Sequence, residues 1–169
     1  MCGILALLGA SGSRDDLRQR MLVLQKRLRH RGPDWSGIHV TKAKEEGSYN
    51  IVCHERLSIV NPWSGNQPLF DKAGKVCVAV NGEIYNHMAL RELLPEVAPE
   101  DIDASDCAVI PYLWKKFGKN LVHKLDGMWA FVISDEETGT NFWKFKIMTI
   151  LVNFSIRLKY FLIHSLCTY

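Results

Sequence analysis

A cysteine stands directly after the initiator methionine, at position 2 of a chain of 169 residues. Removal of Met1 would leave the thiol and the α-amine on the same residue. A free α-amine titrates near about pH 8, so it can take the proton of its own thiol without a separate histidine or aspartate. Cys2 is therefore a candidate nucleophile, although a cysteine at this position is more often a small residue in a strand.

Asn81 and Gly82 directly follow a buried apolar run and are candidates for an oxyanion hole. Acyl transfer requires hydrogen-bond donors aimed at the developing negative charge, and an Asn carboxamide and a Gly backbone N–H can supply two. Glu83 adds a carboxylate that could receive a substrate ammonium. The same Asn-Gly pair is also typical of a two-residue hairpin turn, so both interpretations stay open.

Two further charged residues could complete a receptor for an α-amino acid. Arg56 lies among apolar strand residues, where its planar guanidinium could hold a carboxylate through two bonds or could be solvated at an edge. Asp106 could bind a substrate amine or could serve as the acid that favours a helix start. The histidines match no standard ligand spacing, and no metal site is predicted.

The elements that must position these residues alternate between strand and helix patterns in residues 1–141. Apolar runs predict strands at residues 3–8, 51–54, 57–60, 76–80 and 128–133. Ser13 is a candidate N-cap for a first helix. The apolar face of that helix is formed by Leu17, Met21, Leu24 and Leu28. A second helix is predicted over residues 105–117, with a kink at Pro111.

Four basic residues crowd the end of the first helix. They could bind phosphate, but cations also complement the negative end of a helix dipole, and we favour that structural interpretation. The four are Lys26, Arg27, Arg29 and Arg31.

Composition excludes several classes of protein. A formal net charge of +3 indicates neither a nucleic-acid-binding protein nor one that binds a membrane surface. The five cysteines are scattered without the spacing of a zinc site or a disulfide framework, which favours a reducing compartment, the cytoplasm. The N-terminus lacks the features of a signal peptide.

The composition changes near residue 141. Residues 1–141 hold all 18 acidic residues and every Gly and Pro, whereas residues 142–169 are apolar and basic. The longest uncharged run in this tail is shorter than the roughly 20 residues of a membrane span, and its apolar residues form no clean helical face. We interpret residues 142–169 as a divergent tail that is foreign to a domain over residues 2–141.

Six motifs occur in order along residues 1–138, and together they resemble the glutaminase domain of glutamine-hydrolysing asparagine synthetase. Each motif alone is modest, but the ordered set is highly specific. The motifs are Met1-Cys2-Gly3-Ile4 and residues 29–37 (Arg-His-Arg-Gly-Pro-Asp-Trp-Ser-Gly), 54–60 (His-Glu-Arg-Leu-Ser-Ile-Val), 65–69 (Gly-Asn-Gln-Pro-Leu), 80–87 (Val-Asn-Gly-Glu-Ile-Tyr-Asn-His) and 125–131 (Leu-Asp-Gly-Met-Trp-Ala-Phe).

The resemblance implies a role for each candidate residue. Cys2 would attack the glutamine side-chain amide, and Asn81 with Gly82 would stabilise the oxyanion. Arg56 would bind the α-carboxylate of glutamine, while Glu83 and Asp106 would bind its α-ammonium. The backbone of Leu57, Ser58, Ile59 and Val60 would line the pocket, and residues 30–37 would form a loop near the site.

The family fold is α+β: an αββα sandwich of two antiparallel sheets, of the N-terminal-nucleophile (Ntn) hydrolase type. We expect this chain to form it incompletely at the C-terminal side, because the strands that the family places after Asp135 are not recognisable. The pyrophosphate loop of the synthetase domain is also missing from the 169 residues, so ATP and Mg²⁺ would belong to that domain and no cofactor is expected here. Family members usually carry Gly where this chain has Ala104.

Two rivals to an active glutaminase that supplies ammonia for asparagine biosynthesis stay open. One is an inactive, truncated fragment. The other is a glutamine-binding regulatory module that pairs with a synthetase subunit. Glutamine is the expected ligand in the active and regulatory cases, and neither nucleic acid nor membrane is an expected partner.

Overall fold

The structure, a computed structural model, describes residues 2–58, 65–102, 105–146, 152–157 and 160–165, the last two ranges as backbone alone. Two antiparallel sheets dominate it. The strands are β1 (Gly3–Ser11), β2 (Trp35–Lys42), β3 (Ser48–Arg56), β4 (Leu69–Phe70), β5 (Val76–Ile84), β6 (Gly127–Asp135), β7 (Thr140–Lys146), β8 (Val152–Arg157) and β9 (Tyr160–Ser165). The helices are α1 (Arg14–Gln25), α2 (His87–Glu92) and α3 (Ile110–Phe117). The first sheet has the order β2-β3-β1-β9-β8, and the second has the order β4-β5-β6-β7.

Side chains of β1 alternate between two apolar layers, as expected for a strand that is buried on both faces. Ile4 and Ala6 pack between the sheets, against residues such as Ala79 of β5. Leu5 and Leu7 point the other way and pack with residues of α1. A third cluster joins the outer face of β5 and β6 to α3. The layer order is therefore helix, sheet, sheet, helix, and the predicted α+β αββα sandwich is confirmed.

The predicted helix start at Ser13 is confirmed, because its side chain accepts a hydrogen bond from the Asp16 N–H. Leu17 and Met21 are buried against β1 and β3, as their spacing predicts. The α-helical turn ends at Gln25, however, and Leu28 lies in a tighter 3₁₀ segment over Lys26–Arg31.

The second predicted helix divides into two parts. Residues Asp106–Val109 form a 3₁₀ turn, and α3 follows from Ile110 to Phe117. Pro111 lies in the first turn of α3, where a missing N–H leaves no helical bond unmade. The expected kink at Pro111 is therefore wrong, since the proline begins the α-helix instead of interrupting it.

The strand predicted over residues 76–80 continues through Asn81 and Gly82 to Ile84. All nine residues of β5 pair with β6, and this pairing keeps the Asn-Gly pair extended. The hairpin-turn alternative for Asn81 and Gly82 is thus wrong. Leu57 and Ser58 lie beyond the end of β3, outside any strand, and the remaining part of the strand predicted over residues 57–60 lies outside the described residues.

The expectation that no strand follows Asp135 is also wrong. Residues Thr140–Lys146 form β7, which pairs with β6 across the boundary drawn at residue 141. Phe142 packs on Trp114 and Phe131, with ring centroids 5.4 Å and 6.2 Å apart, so aromatic packing anchors the strand. Farther along, β8 and β9 pair antiparallel with each other, and β9 pairs with β1 over Ile4 to Leu7.

Within the described residues, none of the helices has the length and apolar character needed to cross a membrane.

His54 links the two sheets. Its Nε2 lies 2.9 Å from the carbonyl oxygen of Val80 in β5, and the side chain is fully buried. Its Nδ1 has no hydrogen-bond partner among the described residues. Burial lowers the pKa of His54 to about 4. The neutral imidazole is therefore the form that fits the folded chain.

We predict an acid-induced loss of stability that depends on His54. An imidazole in the unfolded chain has a pKa of about 6.5. The stability contributed by neutral His54 is therefore complete above that pH and is lost as the pH falls toward about 4. The loss amounts to roughly 3 kcal/mol. Urea unfolding of the unsubstituted chain and of His54→Gln at several pH values measures it. The substitution should flatten the curve between about pH 6.5 and about pH 4.

The exposed His123 supplies the matched control. His123→Gln should leave the pH dependence of unfolding as it is in the unsubstituted chain. Equal slopes for the unsubstituted chain and His54→Gln would contradict the assignment of this effect to His54.

Candidate active site

Cys2 lies at the junction of the two sheets. Gly3 pairs with Glu55, which places Cys2 level with the end of β3. The backbone nitrogen of Cys2 donates a hydrogen bond of 3.0 Å to Oδ1 of Asn81, on β5 of the other sheet. The Leu57 N–H donates to the Cys2 Sγ at 3.4 Å. The nucleophile candidate is therefore held at both its nitrogen and its sulfur.

Burial sets the acidity of the Cys2 thiol. It raises the pKa of Cys2, while the Leu57 N–H and the positive charges of Arg56 and Arg31 act in the opposite direction. A thiol with a raised pKa needs a base beside it before it can attack. Cys2 itself carries such a base, because its nitrogen, which contacts Asn81, becomes a free amine once Met1 is removed.

The backbone of β6 leaves room only for glycine at position 82. Its φ is +151°, and a Cβ built there would lie 2.1 Å from the Met128 carbonyl oxygen and 2.6 Å from the Trp129 Cα. No side chain fits so close to the backbone of β6. Gly82 is exposed and Asn81 is half-buried, so this part of β5 is open to an incoming ligand.

Arg56 is buried at the end of β3, where its Nη1 donates to Oδ1 of Asn66 at 3.2 Å. Arg56 directly precedes Leu57, which contacts the Cys2 thiol, and the positive charge of Arg56 acts to lower the pKa of that thiol. A buried arginine of this kind suits the carboxylate of a ligand.

The carboxylate of Asp106 is fixed against the end of β5, because its Oδ2 accepts the Ile84 N–H at 2.6 Å. The neighbouring Cys107 thiol donates to the Gly82 carbonyl oxygen at 3.6 Å. Burial raises the pKa of Cys107 well above its usual value, and the charges of Asp106, Cys2 and Glu83 raise it further. Asp106, Glu83 and the Cys2 thiol therefore all act on the buried Cys107 thiol, and Glu83 is exposed.

The pocket-lining residues divide between described and undescribed positions. Leu57 contacts Cys2 directly, as expected for a lining residue. The Ser58 N–H donates to the Asp34 carboxylate at 2.7 Å. This bond ties Ser58 to the loop of residues 30–37. Ile59 and Val60 lie outside the described residues, as does Ala104. The individual roles of all these residues stay predictions.

Asp34 fixes the backbone beside Cys2, although the motif alone assigned it no role. Besides holding Ser58, its backbone N–H donates to the Arg56 carbonyl oxygen at 3.1 Å. The loop of residues 30–37, which was expected near the site, therefore bonds to the backbone of Arg56 and Ser58, the two neighbours of Leu57. The presence of an acid within the Gly-Pro-Asp turn was the available signal, because such a side chain readily bonds to backbone N–H groups.

Arg29 belongs to the basic cluster and has a structural partner. Its Nη1 lies 3.0 Å from a carboxylate oxygen of Glu55, a side chain that is only 2% exposed. Ser36 also donates to this carboxylate, at 2.8 Å. Arg29 therefore compensates a buried charge, which is a different role from either phosphate binding or a helix-dipole contact.

A separate cavity of about 590 Å³ lies beside α3, away from Cys2. Its lysines are paired with carboxylates: Lys72 with Asp101 at 2.8 Å, Lys115 with Asp71 at 3.3 Å and Lys116 with Glu96 at 3.0 Å. None of the predicted site residues lines it. Within the described residues, no group of three or more His, Cys, Asp or Glu side chains is placed to hold a metal ion.

The sandwich, with a cysteine at the start of its central strand and an Asn-Gly pair facing it, defines an amidotransferase of the Ntn type. Residues 1–144 match the family model described as a glutamine amidotransferase domain. The chain belongs to the glutamine amidotransferase domain family.

Plant asparagine synthetases are similar to this chain in sequence. The chain is 49% identical over 140 residues to an asparagine synthetase [glutamine-hydrolyzing] of Triphysaria versicolor, covering 83% of this chain and 22% of that protein. It is 50% identical over 135 residues to asparagine synthetase [glutamine-hydrolyzing] 3 of Arabidopsis thaliana, covering 80% and 22%. The chain thus spans about a fifth of the length of these curated relatives, and the matched segment is homologous to their N-terminal part.

The fold is also found in a solved structure. The glutamine phosphoribosylpyrophosphate amidotransferase from B. subtilis superposes with a TM-score of 0.64 at 20% identity. The match covers 96% of this chain and 41% of that one. At this identity the likeness establishes the Ntn-type fold and nothing finer.

We predict that Gly82→Ala disrupts the site and the sheet together. The added Cβ would collide with the Met128 carbonyl, so β5 and β6 must separate locally. The expected loss of stability is about 3 kcal/mol or more. Thermal unfolding followed by circular dichroism measures it.

Gly74→Ala is the matched control, because Gly74 also has a positive φ, +68°, but has nothing within 4 Å of a built Cβ. It should cost only about 1 kcal/mol of backbone strain. Equal losses for the two variants would show that the close approach of β6 does not constrain Gly82.

Proposed function

We propose that the chain hydrolyses the side-chain amide of glutamine to give glutamate and ammonia. The observation that carries the proposal is the hydrogen bond between the Cys2 nitrogen and Asn81 Oδ1, made while Leu57 contacts the Cys2 thiol. These contacts bring the thiol nucleophile, its amine base and the Asn81 carboxamide close together. Membership of the glutamine amidotransferase family supports glutamine as the substrate.

The first half of the reaction forms a thioester. After removal of Met1, the Cys2 amine takes the thiol proton and Sγ attacks the amide carbon of glutamine. Because Oδ1 of Asn81 is bonded to the Cys2 nitrogen, the Nδ2 group of the same carboxamide remains as a donor. Together with the Gly82 N–H it stabilises the oxyanion. The amine then gives its proton to the departing nitrogen, and ammonia leaves.

The second half releases glutamate. Water gives a proton to the Cys2 amine and attacks the thioester carbon, and the thiol is restored when the carbon–sulfur bond breaks. Arg56 holds the α-carboxylate, and Glu83 and Asp106 hold the α-ammonium. The balance is glutamine plus water giving glutamate plus ammonia, with no metal or organic cofactor.

The named relatives support a wider role. We propose that the ammonia serves asparagine biosynthesis through a synthetase domain or subunit, which would use ATP and Mg²⁺. The described cysteines Cys2, Cys53, Cys77 and Cys107 are all free thiols, which supports a reducing location such as the cytoplasm.

The first test follows glutamate production by the purified chain. The unsubstituted chain should release glutamate from glutamine, and Cys2→Ala should release none above background, because the nucleophile is lost. Cys77→Ala removes a buried thiol from β5 without touching the site and should retain activity. Glutamine binding without glutamate release would indicate a regulatory module instead.

The second test concerns the acids that would hold the α-ammonium. Glutamine should be preferred over its analogue without the α-amino group by about 10- to 100-fold in kcat/KM, since a charge-assisted hydrogen bond is lost. Asp106→Asn keeps an oxygen for the Ile84 N–H but removes the charge, so the preference should shrink. Glu83→Gln measures the share of the second acid.

An unchanged preference in both acid variants would contradict this assignment. Loss of activity toward both substrates by the same factor would instead indicate a structural effect of the substitution.

A further inference from the structure

The side chain of Gln67 pairs with the backbone of Val80, the residue that precedes Asn81. Gln67 Nε2 donates to the Val80 carbonyl oxygen at 2.8 Å. The Val80 N–H donates to Gln67 Oε1 at 2.7 Å. One carboxamide thus satisfies both backbone groups of Val80, in the manner of a neighbouring strand.

This contact extends the edge of the second sheet. The short strand β4 pairs with Val78 and Cys77 and reaches no farther along β5. The Gln67 side chain takes its place at Val80. The His54 ring also contacts the Val80 carbonyl oxygen, at 2.9 Å, so this oxygen has two side-chain partners.

The backbone of Gln67 is itself fixed. Its carbonyl oxygen accepts the Trp35 Nε1–H at 3.3 Å. A Cβ built on Gly37 would lie 1.8 Å from the same oxygen, so β2 approaches the Gln67 peptide closely. Gln67 therefore contacts β2 through its backbone and β5 through its side chain.

The residues before Gln67 contact the other part of the site. Asn66 Oδ1 accepts from Arg56 at 3.2 Å. A Cβ built on Gly65 would lie 3.5 Å from Arg56 Nη2. Residues 65–67 therefore run from the candidate carboxylate-binding residue to the strand that carries the candidate oxyanion-hole residue.

We infer that Gln67 is a positioning residue: it holds Val80 so that the following Asn81 faces the nitrogen of Cys2, and it ties this placement to the loop beside Arg56. The inference rests on the proposed function. Gln67 acts through Val80 and does not itself contact Cys2, so its effect belongs to the geometry of Asn81. Small displacements of such groups cost up to about 100-fold in rate.

The test compares two side-chain amides, each of which bonds to a backbone group. Gln67→Met keeps the length of the side chain but cannot bond to Val80. The control is Asn50→Leu: Asn50 is buried on β3, accepts the Gly9 N–H at 2.8 Å and donates to Ser134 Oγ at 3.3 Å, away from Cys2. Three quantities are measured on each full-length chain: kcat and KM for glutamine, the midpoint of thermal unfolding, and hydrogen exchange at the Val80 amide.

For Gln67→Met we expect kcat to fall about 10- to 100-fold, with a smaller rise in KM, and the Val80 amide to exchange faster. For Asn50→Leu we expect a lower unfolding midpoint with kcat per folded molecule unchanged. If both variants lose activity only in proportion to their unfolded fraction, Gln67 is merely structural and the inference is overturned.

The exchange measurement separates this inference from the proposed function. If the unsubstituted chain releases no glutamate, the proposed function fails, and Gln67 is judged by the Val80 amide and by the side-chain amide signal of Asn81. Faster exchange with a shifted Asn81 signal in Gln67→Met supports the positioning role. Unchanged exchange and an unchanged signal overturn it.

Discussion

The hydrogen bond from the Cys2 nitrogen to Asn81 joins residues that belong to different sheets. The site therefore exists only while the two sheets keep their separation and their offset. The layer between them combines the branched residues Ile4, Val52 and Val132 with the small residues Ala6, Ala79 and Ala130, which allow a close approach. His54 adds a polar link across this layer by contacting Val80, directly before Asn81. The same packing that holds the sandwich together thus sets the geometry of the candidate nucleophile.

The surroundings of this bond are organised by side chains that contact backbone. Asp34 holds Ser58, Gln67 holds Val80, and Asp106 holds Ile84. Each of these carboxylates or amides fixes a segment next to a candidate catalytic or binding residue. Irregular loops carry few backbone pairs of their own, so such contacts replace the ladder that a strand would supply. Asp34 ties its own loop to Ser58, whereas Gln67 and Asp106 attach the segments that carry them to β5.

Several features could be predicted from the sequence because their causes are local. Ser13 caps α1, and Leu17 and Met21 face the first sheet, since capping and helical spacing depend on neighbouring residues. The ordered motifs indicated the αββα sandwich, and the contact between Cys2 and Asn81 agrees with that expectation.

Other features depend on partners that are distant in the chain. Asn81 and Gly82 carry the local signal of a turn, but pairing with Ala130 and Trp129 keeps them extended. Residues Thr140–Lys146 cross the change of composition near residue 141, and pairing with β6 makes them a strand of the second sheet. The role of Gln67 was hidden for the same reason, because its partner Val80 is thirteen positions away.

The account centres on a nucleophile whose base is its own amine. The most direct test compares glutamate release by two preparations of the same chain, one with Met1 removed and one with Met1 retained through inhibition of methionine aminopeptidase. Mass spectrometry verifies the N-terminus, and circular dichroism verifies equal folding. The account predicts glutamate release only from the chain that begins with Cys2. Equal release from the chain that keeps Met1 would contradict it.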